Sequence, residues 1–246
     1  MLLAKVLEAY GGKLPEGGFV LFANTGKEHL STYTFIERFS SHFDVDIRWL
    51  EYSPTDVYKV VEPHQASKNG QPFKALVDKK RYLPNPLTRF CTSHLKVKPM
   101  NAWMAANVGS EFTSVIGLRH DEPKRVSRLR SDTSRDIALP LDDAKITKTD
   151  VLRFWASMPF DLALPNNDEA FGNCDLCFLK NMAAIQRVIQ HDPSSADWWA
   201  SCEENVGAKF RSDRPKYSDI LRYVTIFGRE YQTHNDGPSL PCDCTE

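Results

Sequence analysis

No stretch of the sequence approaches the roughly 20 consecutive apolar residues that a membrane-spanning helix requires. The opening residues, MLLAKVLEAYGG, lack the long apolar run and small-residue cleavage site of a secretory signal. A cytoplasmic protein with no membrane partner is therefore expected. Neither sign of charge predominates: 31 basic against 32 acidic residues leave a formal charge of -1. The field of the whole chain thus steers it toward neither nucleic acid nor membrane, and contact with a polyanion needs a local patch. Internal repeats and low-complexity segments are also absent. Cysteine is scarce, with 6 in 246 residues, and in a reducing compartment these are ligands, catalytic groups or packed fillers rather than a disulfide framework.

What is present is enough apolar material, 41% of residues, for a real core within one α/β domain and an appended C-terminal region. Leu2, Leu3, Val6 and Leu7 form a helical stripe that stops at Gly11 and Gly12, and a buried strand follows from Phe19 to Ala23. Tyr33, Phe35, Ile36 and Phe39 recur near helical spacing, and Val45 to Tyr52 alternates as a strand does, so a parallel βαβ unit is expected. Prolines and Gly70 break up the region from Tyr52 to Thr88, which reads as an excursion over the sheet edge with a short helix around Phe73 to Val77. A helix from Lys98 to Ala106, a strand from Phe112 to Gly117 and an arginine-dense loop from Leu118 to Asp136 come next. Thr147 or Thr149 then caps a helix carrying Val151, Leu152, Phe154 and Trp155. Helical patterns at Met182 to Ile189, Ala196 to Val206 and Tyr217 to Phe227 make an α-rich C-terminal cap. The expected domains are residues 1–180, α/β, and 181–246, helical with a cysteine-containing tail.

Cys174 and Cys177 form a CxxC knuckle, whose spacing lets both sulfurs point at one ion. With Cys91 and one of Cys242 and Cys244, Cys244 being preferred, they compose a four-sulfur site that suits zinc or an iron–sulfur cluster. The alternative is a redox pair at Cys174 and Cys177 with Cys91 as a packed thiol. Cys202, after Trp198 and Trp199 on an amphipathic pattern, is assigned to packing.

Asn24-Thr25-Gly26 stands between a strand and a helix, where backbone N–H groups and the helix dipole suit a phosphate or ribose, or where Gly26 simply serves a turn. Arg119 and Arg125 lie in the loop after a strand and match phosphate or sulfate by their bidentate forks, unless Asp121 and Glu122 neutralise them. Arg128 and Arg130 extend that cluster and equally suit a nucleic-acid backbone. Lys96 follows Cys91 closely, near both proposed sites in sequence.

The order of four segments resembles the phosphoadenosine-phosphosulfate (PAPS) reductase family, within the adenine nucleotide alpha-hydrolase-like group. They are Phe22 to Glu28, Arg89 to Thr92 with Lys96 and Pro99, Ile116 to Glu122 with Arg125, and Gly172 to Cys177, all within residues 1–180. The resemblance implies a Rossmann-like parallel sheet flanked by helices, with Asn24, Thr25 and Gly26 beside an adenine nucleotide, ATP or PAPS-like. It further implies that Arg119 and Arg125 serve that ligand's phosphates or sulfate, and that Cys91, Cys174 and Cys177 help hold a four-iron (4Fe-4S) cluster; Lys96, from its place in the sequence, is counted with the nucleotide-binding residues.

Two departures shape the expected function. The family's first strand and Ser-Gly-Gly-x-x-Ser loop do not precede the helix at Met1 to Tyr10, which suggests an N-terminally incomplete domain or a member with a different grip on pyrophosphate. The C-terminal Glu-Cys-Gly-Leu-His segment of the sulfonucleotide reductases is replaced by Pro241-Cys242-Asp243-Cys244-Thr245-Glu246, so no catalytic residue is assigned. The expectation is an enzyme that binds an adenine nucleotide or sulfonucleotide and carries out sulfur transfer, reduction or adenylation. The alternative is a non-catalytic, metal-stabilised module that binds nucleic acid or a protein.

Overall fold

The structure, a computed structural model, describes residues 1–228 and 238–240. In chain order the first elements are α1 (Leu2–Ala9), β1 (Val20–Asn24), α2 (Leu30–Phe43), β2 (Ile47–Ser53), β3 (Val57–Val61) and α3 (Gln71–Lys80). A single turn at Phe90–Thr92 and a π-helical turn at Ser93–Val97 run into α4 (Lys98–Asn107), followed by β4 (Thr113–Val115), α5 (Pro123–Arg130) and β5 (Asp136–Ala138). The remainder is helical: α6 (Pro140–Asp143), α7 (Lys148–Ala156), α8 (Met182–His191), α9 (Ser195–Val206) and α10 (Tyr217–Phe227). The architecture is α/β, and among the described residues no helix is long and apolar enough to cross a membrane.

The chain forms two compact units. The first takes Met1–Val20, Thr34–Ile47 and Ala102–Ala163. Its main core joins Ala4 and Leu7 of α1 to Phe39 of α2 and to Val45, with Phe35, Trp155 and Phe160 packed around them. The apolar stripe of α1 accounts for this, because residues three and four apart share a helix face. Strands β4 and β5 pair in parallel, with Ser114 opposite Ile137. The arginine-dense stretch, expected to be a loop, contains α5. There Val126 and Leu129, three residues apart, bury against Leu118 and Leu139, two apolar residues too few to stand out among the four cationic residues of the helix. At α7 the N-cap is Thr147, whose N–H donates to Asp150 Oδ2 over 2.9 Å.

The second unit takes Leu21–Tyr33, Arg48–Asn101 and Leu164–Glu246. Its mixed sheet is ordered β1-β2-β3, and β2 and β3 form an antiparallel pair with Leu50 opposite Val60. The edge strand β3 lies where the sequence reads as irregular. Val57 and Val60 are exposed on it and Lys59 interrupts it, so it carries little alternation to read. The C-terminal helices share one core with the central region: Phe73 and Leu76 of α3 join Phe178, Ile185, Val188, Trp199, Phe210 and Ile220. Trp199 is fully buried at its centre, with ring centroids 5.0 Å from Phe210 and 5.5 Å from Tyr217.

Two polar side chains sit within this core. Glu203 is 2% exposed and accepts the N–H groups of Phe210 (3.1 Å) and Tyr217 (2.8 Å), pinning the connection between α9 and α10. Burial raises its pKa above the ordinary value of 4.5, although the two N–H donors act the other way. A raised folded-state pKa makes its contribution to stability full below the unfolded value and lost as pH rises through the folded value. Urea unfolding of wild type and Glu203→Gln should therefore show a gap that shifts in favour of the wild type as pH falls from about 7 to about 4.5. A gap constant with pH would contradict the raised pKa. Gln186, wholly buried on α8, has neither amide atom hydrogen bonded among the described residues. Gln186→Met, which keeps the volume and removes the unpaired polar atoms, should stabilise the protein by about 1–2 kcal/mol in the same assay.

Candidate functional site

Strand β1 delivers Asn24 to the interior of the second unit, where it is 0% exposed. Its Nδ2 donates to Glu51 Oε1 and to Ser67 O, both at 2.8 Å, while its Oδ1 accepts Gly26 N–H (2.9 Å) and Tyr33 O–H (3.1 Å). The amide is thereby consumed within the fold. The backbone of the turn is equally committed. Thr25 N–H donates to Glu28 Oε2 and Lys27 N–H to Thr25 Oγ1, so the N–H groups of Thr25, Gly26 and Lys27 all have internal acceptors. Helix α2 begins only at Leu30. The Asn24-Thr25-Gly26 segment is a polar lock in this structure, and the open cradle of N–H groups expected for a phosphate is not formed by it.

The lock fastens the cysteine knuckle. Glu28 and Cys174 form an antiparallel bridge, Asp175 N–H donates to Lys27 O over 2.7 Å, and Thr25 Oγ1 lies 3.6 Å from Cys174 Sγ. Lys27 Nζ reaches Asp175 Oδ2 at 2.7 Å with both side chains largely buried, and its ammonium sits 5.1 Å from the Trp198 ring centroid. Asp175 Oδ1 accepts the indole N–H of Trp199 at 2.8 Å. From the other side the buried Lys180 donates to Ala170 O (2.5 Å) and Asp175 O (2.6 Å). Lys27, Glu28 and Asp175 lie inside the sequence motifs but show their roles only as neighbours in space. Lys180, Glu51 and Trp199 carried no sequence signal.

Among the described residues Cys91, Cys174 and Cys177 form no disulfide, and Cys177 lies near enough to act electrostatically on each of the other two. Burial pushes the Cys91 thiol up to about 12 and the Cys174 thiol well above its ordinary range, where the Glu28 carboxylate adds to the effect. Lys96, on the π-helical turn, opposes both shifts. Soft sulfur donors in a buried place that disfavours bare thiolates suit a cation such as zinc or iron. Among the described residues, no three His, Cys, Asp or Glu side chains are arranged to hold a metal by themselves. The expected fourth ligand, Cys244, lies outside the described residues, as does Cys242. Cys202 is buried in the core beside Trp199, as its pattern suggests.

Arg119 and Arg125 belong to the first unit and are both paired with acids. Arg119 Nε reaches Asp121 Oδ1 at 2.9 Å, and Arg125 is bonded to Glu122. Arg130 is paired likewise with Asp142 (2.5 Å) and Asp143 (2.6 Å). The carboxylates of this segment thus neutralise the arginines that the sequence offers to phosphate.

Over 174 residues the chain is 32% identical to an uncharacterized nin region protein, ORF290, of Escherichia phage lambda, a match covering 67% of this chain and 57% of that protein. The chain therefore spans little more than half the length of that relative. No family model matches the chain, and no solved structure matches it.

Gly26 is where the lock tolerates least change. Its φ is +77°, and a Cβ there would lie 2.7 Å from Ser67 Oγ and 2.9 Å from the backbone N of Gly70, which itself donates to Gly26 O. Gly26→Ala should cost about 2–4 kcal/mol by chemical denaturation, from left-handed strain together with overpacking. A cost under about 1 kcal/mol would show that the turn is not fixed in this way.

Proposed function

We propose that this is a PAPS reductase-like protein, with a Rossmann-like ancestry for its sheet, in which Cys91, Cys174, Cys177 and a tail cysteine hold an iron–sulfur cluster or zinc beside an adenine-nucleotide site. The observation that carries the reading is the clasp of the Thr25 turn onto the cysteine knuckle, with Thr25 Oγ1 3.6 Å from Cys174 Sγ. In a sulfur-transferring enzyme of this kind, the end of β1 and the sulfur-bearing centre must be neighbours. The tail adds support: Leu240 N–H donates to Leu179 O, and Asn181 N–H donates to Ser239 Oγ, each at 2.8 Å. Those contacts hold the chain two residues ahead of Cys242 in sequence, next to a segment that begins two residues beyond Cys177.

When bound, a cluster would supply redox or electrostatic assistance at sulfur, and zinc would supply structural ligation or Lewis acidity. The protein's own part in this reading is to hold the knuckle rigid through Lys27, Asp175 and Lys180, and to set the positive charge of Lys96 beside the thiols. A second reading, a non-catalytic metal-stabilised module, is favoured by the internal satisfaction of the turn's N–H groups, which leaves the segment without a phosphate grip of its own.

Anaerobic purification followed by iron, zinc and sulfide analysis, with a visible spectrum, tests these readings on wild type, Cys174→Ser and Cys202→Ser. Iron and sulfide present in wild type and Cys202→Ser but lost from Cys174→Ser, with binding of ATP or adenosine phosphosulfate by calorimetry, is the expected outcome. Zinc alone with no nucleotide binding would select the module. Neither metal in the reduced wild type would overturn the four-cysteine centre.

A further inference from the structure

The arginines expected to meet phosphate lie in one segment, yet each of Arg119, Arg125 and Arg130 is paired with an acid. A second concentration of cations lies elsewhere in the chain. From Lys79 to Ser110 the sequence holds Lys79, Lys80, Arg81, Arg89, Lys96 and Lys98 and no Asp or Glu, although the whole chain is balanced at -1. Within the second unit this stretch folds so that the C-terminal end of α3 and the start of α4 line one side of a cleft of about 380 Å³, and the end of β2 with the following turn lines the other. Lys79, Lys80, His94 and Lys98 face Tyr52, Ser53 and Thr55 across it.

Among the described residues, none of the ammonium groups of Lys79, Lys80 and Lys98 is paired with a carboxylate. Lys79 Nζ donates to Pro54 O at 2.5 Å, Lys80 Nζ lies 5.8 Å from the Phe90 ring centroid, and Lys98 Nζ is 3.4 Å from His94 Nε2. His94 Nδ1 lies 3.1 Å from Phe90 O, an arrangement that places the ring proton on Nδ1 and leaves Nε2 to accept from Lys98. The π-helical turn Ser93–Val97 carries His94 between Phe90 and Lys98, and such turns are frequent at functional sites. The one acid of the facing turn, Asp56, is engaged by the hydroxyls of Ser53 and Thr55. Three like charges converging on a hollow without counter-charges repel one another. An anion seated in the hollow would relieve that repulsion, and the field of the three ammonium groups draws one toward it.

We propose that this lysine cleft is a phosphate-binding site, separate from the cysteine centre, that takes the closely spaced phosphates of a polyphosphorylated ligand. The shared chemistry is the phosphate group, carried by a small polyphosphate compound or by a nucleic-acid backbone. Lysine suits either, since its point charge does not demand the bidentate fork of arginine. The site does not depend on the sulfur chemistry proposed above, and its failure would leave that chemistry standing.

The test uses the full chain and two probes at 50 mM salt: tripolyphosphate by calorimetry, and a fluorescein-labelled single-stranded DNA 20-mer by anisotropy. The triple variant Lys79→Gln/Lys80→Gln/Lys98→Gln is compared with Lys5→Gln/Lys13→Gln/Lys145→Gln, which removes the same charge from exposed positions of the first unit. The cleft variant should lose at least about ten-fold in affinity and the control less than about two-fold, with the salt slope for DNA reduced by about 2–3 in the cleft variant alone. Loss confined to tripolyphosphate assigns the cleft to a small phosphorylated compound, and loss that includes the DNA assigns it to a strand backbone. Absence of binding of either probe by wild type, or equal losses in the two variants, overturns the proposal. Metal content of the cleft variant, equal to that of wild type, separates this result from any failure of the cysteine centre.

Discussion

The second unit depends on one carboxylate. Asp175 stands between the two knuckle cysteines, takes the ammonium of Lys27 from the turn after β1, accepts the indole N–H of Trp199 from α9, and lends its backbone carbonyl to Lys180. Three segments distant in sequence therefore meet at one side chain. Burying an ion pair costs desolvation that Coulomb attraction returns only when every remaining lone pair and proton is also satisfied. Here they largely are, so the pair's contribution is to specificity: another packing of the knuckle would strand a buried charge, and removal of either partner would do the same.

This arrangement changes the meaning of the Asn24-Thr25-Gly26 segment. A strand-to-helix turn with a glycine ordinarily offers its N–H groups outward, and on that ground it reads as an anion cradle. In this fold the side chains of Asn24, Thr25 and Glu28 take those donors, Glu51 and Tyr33 complete the network, and the segment is packed against the cysteine knuckle. Polar networks that are fully satisfied in a low-dielectric interior are stiff, because moving any member strands another.

Local pattern carried much of the architecture and little of the site. The stripes of α1, α8, α9 and α10 and the capped start of α7 were legible because periodicity and capping act within one or two turns. Strand β3 was not, since an exposed edge needs no alternation, and α5 was hidden because only Val126 and Leu129 are buried in it. At the site, the knuckle and the turn could be picked out singly, but their contact through Lys27 and Asp175 is a fact of three dimensions. The arginines show the converse: Arg119 and Arg125 stand out in a string of letters, while the acids that occupy them, Asp121 and Glu122, stand out just as much, and only geometry decides between partner and ligand.

Thr25 and Cys174 touch across 149 positions of the chain, and the unit that contains them is assembled from Leu21–Tyr33, Arg48–Asn101 and everything from Leu164 onward. During synthesis the first unit has all its segments once Ala163 has left the ribosome, whereas Lys27 must wait for Asp175 and Trp199. Until then the turn after β1 carries a cation and a carboxylate with no fold to bury them. Long-range closure of this kind is slow relative to local helix formation. Cys174 and Cys177 therefore emerge only after every segment of the first unit, so the order of translation keeps both thiols from meeting Cys91 until that unit's chain is complete.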